Sequence, residues 1–535
     1  MQKLSIRLLR EGVEPENAVR EGTKLEDWDQ IDGSKIVLDT LGGGHPKWAT
    51  FLGLSSVQKM KLKNSSAMGL IFLKVEERWF AMSFGLGHVK IDPAKIEQDF
   101  GLKVVLNSVD PKKLRSADVR TPDENTLSRR SQTSRGSDQT AFSIDVERDI
   151  VRGLAGQPKD KNFASKVAGS DSLTIERDIV VNDLPAVCGD AFRIYQKSDY
   201  KCQFGWIDQI KHVRDDAVIS SLRDKLVDKI NEAIRTNDTE NLHLAYPVIY
   251  DPEKGGWIQY KGFRSRRKFT DLDIRGYIDA LLERKRTSVS EADLDKHAVH
   301  EVDDQGKDIG GKWSIFECLA TEIDLDGSTY VLSGGRWYRI EKSLATSVKE
   351  FFDKAPRFSM PSAEYGENEE KYNKRIMESV DEYICLDKKL ILPTGAGTQI
   401  EVCDFLSRGR HLIHVKDKTS SSRLSHLFNQ GTVSARVLVV DGPARDQVRK
   451  RIAEAEAETD KSGFEDLVPS GNEQFVAAEF TVVFGVIASG DNPRLPFFSL
   501  LTFRQAAREL QVPNFRYAFA WIRKPTGPSE EATKE

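Results

Sequence analysis

Asp404, His414, Lys416 and Gln430 lie close together in the chain and combine an acid, an imidazole, an amine and an amide. These are the groups that hold a divalent cation and orient water against a phosphodiester. Asp404 sits in the apolar-alternating run Glu401-Val402-Cys403-Asp404-Phe405-Leu406. His414 and Lys416 are two apart in His411-Leu412-Ile413-His414-Val415-Lys416, so strand periodicity puts them on one face. The linker Ser407-Arg408-Gly409-Arg410 reads as a hairpin turn, and Leu424 to Gly431, which carries Gln430, reads as the helix that follows.

The elements that must position these groups can be read outward from the hairpin. Glu364 to Glu382 is helix-capable and contains Glu370, Glu378 and Glu382. Tyr383 to Leu392, Gln399 to Leu406 and His411 to Lys416 are expected as three strands, Ser422 to Ser434 as a helix and Phe480 to Ala488 as a late apolar strand. A hard ion, Mg²⁺ or Mn²⁺, would take carboxylate oxygens from Asp404 and a helix glutamate such as Glu378. His414 would be a softer ligand or a general base, Lys416 would orient water or neutralise phosphate charge, and Gln430 would position substrate. Alternation along one strand places Glu401 on the face opposite Asp404. A blander reading makes Asp404 and Lys416 a cross-strand ion pair and His414 a sheet histidine. A zinc site from Cys403, His414 and His426 has neither the spacing nor the alternation it needs.

The remainder of the chain bounds these readings. With 535 residues, several cores are expected, in the order 1–100 sheet-rich module, 101–160 basic connecting segment, 161–310 mixed α/β scaffold, 311–523 C-terminal domain and 524–535 disordered tail. Strand-like stretches at 35–39, 48–52 and 69–85 mark the first module, and Lys312 to Ile340 is hairpin-like around Asp326-Gly327. Basic and acidic residues number 79 and 83, for a net charge of -4, so any polyanion site must be local. Two local clusters qualify as nucleic-acid-binding candidates: Arg115, Arg120, Arg129, Arg130 and Arg135, interleaved with Ser, Thr and Gln, and Arg264, Arg266 and Arg267. A solvated surface is the plain alternative for both. The five cysteines are scattered and odd in number, the N-terminus has no signal-peptide pattern, and no apolar run is long enough to span a membrane, so a cytoplasmic protein with no membrane partner is expected.

The stretches Asp99-Phe100-Gly101-Leu102, Leu106 to Pro111, Ile400 to Asp404, Ile413 to Lys416 and Ser425 to Gly431 carry a resemblance. The chain resembles, over nearly its full length, a sporadically distributed family of uncharacterised bacterial proteins, a domain of unknown function. Its C-terminal region more loosely resembles the PD-(D/E)xK nuclease core, an acidic helix followed by a β-meander, a helix and a further strand. The resemblance implies an α+β multidomain protein ending in a restriction-endonuclease-like αβββαβ core. It also implies a divergent metal-dependent nuclease that defends bacteria against foreign nucleic acid, DNA or RNA. His414 stands where that pattern has Asp or Glu, so a non-catalytic nucleic-acid-binding or sensing protein with a degenerate nuclease fold is the alternative. A structural or interaction protein is the second.

Overall fold

A computed structural model describes residues 2–44, 64–122, 126–239, 242–248, 256–417, 422–489 and 493–525. The chain is a mixed α/β protein with several sheets, divided into two units: Met1–Thr121 with Ser128–Asp208, and Pro122–Leu127 with Gln209–Glu535. The expected strand at 48–52 and most of the expected tail, residues 526–535, lie outside the described residues. Among the described residues no helix is long and apolar enough to cross a membrane.

The first unit is built on a ten-stranded sheet. Asn64–Val75 and Arg78–Gly85 form the hairpin expected from 69–85, turning through Glu76 (φ 50°) and Glu77 (φ 60°). Residues 101–160, expected as a connecting segment, instead supply most of the Phe100–Ser108 helix and the strands Val109–Thr121, Leu127–Ser137 and Ile150–Pro158 of this same sheet. Most polar side chains of Leu127–Ser137 face outward from paired backbone, so composition reads as a linker while the ladder makes it sheet.

In the second unit, Leu319–Leu325, Ser328–Ser333 and Arg336–Ile340 form the expected hairpins, with Asp326 (φ 50°) and Gly327 (φ 67°) in the left-handed conformation that a tight two-residue turn requires. These strands pair outward with Leu242–Leu244 and Ile210–His212, so the sheet joins the 209–310 stretch to residues placed beyond 311 by sequence.

The C-terminal module begins with the Glu369–Ser379 helix and a five-stranded sheet in the order Tyr383–Cys385, Phe405–Ser407, His411–Asp417, Thr481–Ser489, Arg516–Lys524. The first three strands are antiparallel neighbours and the last three parallel ones. The crossover from His411–Asp417 to Thr481–Ser489 carries the Ser422–Val440 and Gly442–Thr459 helices, and Phe497–Gln511 precedes the last strand. Val482 through Ala488 are buried without interruption because helices cover both faces. Leu412, Val482 and Phe484 share a core with Leu427 and Phe428, while Ile413, Val415 and Val483 pack on the other side with Tyr372 and Ile376. Each fully buried phenylalanine there contributes about 1.5–3 kcal/mol of apolar burial, and this core holds the hairpin in place between the two helix layers.

Candidate active site

The hairpin strand expected over Gln399 to Leu406 is broken. Ile400–Glu401 pairs with Leu390–Ile391 in a separate two-stranded sheet, and Phe405–Ser407 joins the main one. Between them Val402, Cys403 and Asp404 are buried, at 3%, 0% and 1% exposure, and belong to neither strand, so strand alternation does not carry through from Glu401 to Asp404. The placement of Glu401 opposite Asp404 is thereby corrected. Carboxylate oxygens of Asp387, Glu401 and Asp404 lie within 4.8 Å of one another. Asp387 arrives from the turn after Tyr383–Cys385, where Lys388 takes φ 62° and donates its backbone N–H to Glu401.

Two like charges at this separation repel by about 3 kcal/mol or more at an effective dielectric near 20. Burial first, and then Glu401, hold the Asp404 carboxyl well above the usual carboxylate range; Lys416 and the Val415 N–H, which donates to Oδ2 at 2.8 Å, recover only part. Burial and Asp387 likewise raise Glu401, against the Lys388 N–H and Gln430. Asn373, 1% exposed, donates Nδ2 to Asp404 at 3.2 Å and to Asp387 at 3.3 Å. Its Oδ1 is buried with no hydrogen-bond partner among the described residues. Three oxygen-donor acids, Asp404 and Glu401 with protonation forced upward, beside an orphaned buried amide oxygen, fit a hard divalent cation such as Mg²⁺ or Mn²⁺.

Lys416 lies beside this group and forms an ion pair with Glu369, both largely buried at 15% and 22% side-chain exposure. Burial opposes its charge, but Glu369, Asp404 and Glu401 outweigh that and raise its pKa. The helix glutamate at the site is therefore Glu369, not Glu378. Asn368 caps the helix by accepting from Lys371 N–H at 3.0 Å. Glu369, Asn373 and Ile376 then follow at i, i+4 and i+7 on one face. Glu378 is nine residues on, about half a turn away around the helix, and is exposed. Glu370 pairs with Lys388 on the surface.

His414 is outside the carboxylate group. It is fully buried under the Ser422–Val440 helix, with Nε2 3.4 Å from Ser434 Oγ and its ring stacked on Phe484 at 6.4 Å. Burial, with Lys416 second, lowers its pKa to about 3, so it is neutral and not a base poised near neutrality. Gln430 donates Nε2 to Glu401 Oε2 at 2.8 Å, fixing an acid, and its Oε1 is left without a partner among the described residues. The next residue, Gly431, packs so tightly that a Cβ would lie 2.4 Å from the Phe484 ring, which lets the helix seat Gln430 over Glu401. Cys403 is buried and His426 exposed, and neither belongs to the carboxylate group.

The basic candidates divide. Arg129 pairs with Asp149, Arg130 grips Asp118 through two bonds of 2.7 Å, Arg115 donates to the Ser134 carbonyl and Arg120 is buried. Arg135 is exposed. Arg267 stacks over Phe269 and lies 3.6 Å from Asp279, whereas Arg264 and Arg266 are exposed with no acidic partner among the described residues.

Asp387, Glu369 and Asn373 escaped the sequence reading. The acids sit at a turn and a helix start, where periodicity says nothing, although Asn368 as a helix cap was a usable signal for which glutamates open the first turn.

No curated protein and no solved structure matches this chain. A family profile, described as a family of unknown function (DUF6119), matches residues 4–523. The chain therefore belongs to that family.

Proposed function

We propose that the C-terminal module is a divergent metal-dependent nuclease of the PD-(D/E)xK kind, acting on DNA or RNA, and that the protein serves bacterial defence against foreign nucleic acid. The observation that carries this reading is the convergence of Asp387, Glu401 and Asp404 beside the Lys416–Glu369 pair. The order of helix, three-stranded meander, helix and parallel strand supports it. Glu401 stands in for the acid that His414 does not provide.

Asp387, Glu401 and Asp404 would hold a Mg²⁺ or Mn²⁺ ion, with Asn373 Oδ1 as a further oxygen. Such an ion polarises the phosphate and lowers the pKa of bound water. The chain's own groups do the rest. The Val415 N–H and Asn373 hold Asp404 in one orientation, and Gln430 and the Lys388 N–H hold Glu401. Lys416, kept cationic by Glu369, presents an ammonium to charge developing on phosphate oxygens. Gln430 Oε1, unpaired, is available to substrate or water.

The reading is tested by incubating the purified protein with single- and double-stranded DNA and RNA plus Mg²⁺ or Mn²⁺. Cleavage is expected; Asp404→Ala should abolish it and Lys416→Ala should lower it roughly 10²–10³-fold. Cleavage that survives both changes, or none under any metal, overturns it.

A further inference from the structure

A pocket lined by basic side chains lies on the three-stranded sheet Trp257–Lys261, Ala298–Val302, Asp308–Ser314. Its volume is about 410 Å³, and it is lined by Gln259, Lys261, Arg264, Ser265, Arg266 and Lys268 with no acidic side chain. That size falls within the roughly 300–1,000 Å³ of small-ligand sites.

The four cations are unequally satisfied. Lys261 Nζ is 2.5 Å from Asp308 Oδ1, which also meets His300 Nδ1 at 3.0 Å, so its charge is matched from behind. Lys268 donates to the backbone carbonyl of Asp304 and lies within electrostatic reach of Asp303, while the Asp304 carboxylate accepts the Trp257 indole N–H at 2.7 Å. Arg264 and Arg266 have no acidic partner among the described residues. Two guanidinium charges thus remain without an acidic partner at one cavity, with Lys261 and Lys268 beside them.

Neutral donors line the same cavity. Gln259 lines it with an amide that has no hydrogen-bond partner among the described residues and is free to donate to a ligand there. Ser265, 6% exposed, accepts from Arg267 N–H at 3.3 Å, leaving its O–H to donate. The loop is also held in a conformation side chains avoid. Arg264 has φ 63°, and Gly262 has φ 104° where a Cβ would lie 2.9 Å from the Lys296 carbonyl.

We propose that this pocket binds a phosphoryl group. Guanidinium forks match phosphate oxygens, and the surplus of charge and donors exceeds what a single carboxylate can use. The group can belong to a polynucleotide or be free phosphate, and the site stands independently of the carboxylate centre.

The test uses the full chain in EDTA, which suppresses metal-dependent cleavage. Calorimetry with inorganic phosphate and anisotropy with fluorescein-labelled short single-stranded DNA, with and without a 5′-phosphate, are the measurements. The Arg264→Ala/Arg266→Ala variant should weaken binding about tenfold or more, and Gln259→Ala should weaken it less. Glu378→Ala, an exposed change outside both sites, should bind as the wild type does, and binding retained in EDTA separates this pocket from the nuclease reading. Binding of DNA but not of inorganic phosphate assigns a polynucleotide phosphate; binding of both assigns a free one. Wild-type protein that binds neither probe, or a double variant of unchanged melting temperature that binds both normally, overturns the proposal.

Discussion

Glu401 and Asp404 are three residues apart on what reads as one strand, yet their carboxylates meet with that of Asp387 inside 4.8 Å. The chain leaves one sheet at Glu401 and enters another at Phe405, and the side chains between are buried in succession. Three acids are thereby held together against their own repulsion, and the stability of the metal-free protein should show it.

Because the folded-state pKa values of Asp404 and Glu401 are raised, their contribution to stability is fully present below the ordinary carboxylate range and is lost as pH rises through the raised values. In EDTA near neutral pH, Asp404→Asn should raise stability by about 1–3 kcal/mol, since one of three mutually repelling carboxylates is removed from a buried site. Mn²⁺ should raise the melting temperature of the wild type but not of the variant. A thermal shift series with and without metal decides it, and equal shifts in both proteins count against the metal site.

The Lys416–Glu369 pair and the exposed Glu378 predict a ranking of catalytic effects. Lys416→Ala should lower single-turnover cleavage by roughly 10²–10³, the cost of losing one preorganised electrostatic donor. Glu369→Gln should lower it less, because the lysine remains but is no longer held by charge. Glu378→Ala should cleave like the wild type. A Glu378 variant as damaged as the Lys416 variant would refute this assignment of the helix acid.

His414 gives a pH signature of opposite sign to that of the carboxylates. Its pKa is lowered to about 3 from an ordinary 6.5, so its contribution is present above 6.5 and lost as pH falls toward 3. The loss is at most roughly 1.4 kcal/mol per pH unit. His414→Leu should flatten it, and the difference in urea unfolding free energy between variant and wild type should grow in the variant's favour on acidification across that window. A pH-independent difference would show that the ring is not buried and neutral.

Gly431 sets two effects against each other. Alanine in a helix interior is worth about 1 kcal/mol over glycine, but here its methyl would lie 2.4 Å from the rigidly packed ring of Phe484. Overpacking costs about 1–3 kcal/mol and should win, so Gly431→Ala should be destabilised by chemical denaturation. It should also weaken metal binding by lifting Gln430 from Glu401.

Local pattern alone determined the hairpins at 69–85 and at Asp326-Gly327, the order of helix and strands around Asp404 and Lys416, and the apolar strand at Thr481–Ser489. Period-2 and period-3.6 signals and turn residues are properties of neighbours in sequence, so they are legible there. Tertiary structure decided the rest. Alternation places Glu401 and Asp404 on opposite faces only if the strand is continuous, and the break is fixed by pairing with Leu390–Ile391, not by the residues themselves. Glu369 rather than Glu378 meets Lys416 because the helix docks by its buried Tyr372, Asn373 and Ile376 face. The strands at 319–340 join those at 210–212 and 242–244 through backbone bonds across roughly a hundred residues, and no local periodicity encodes such a partner.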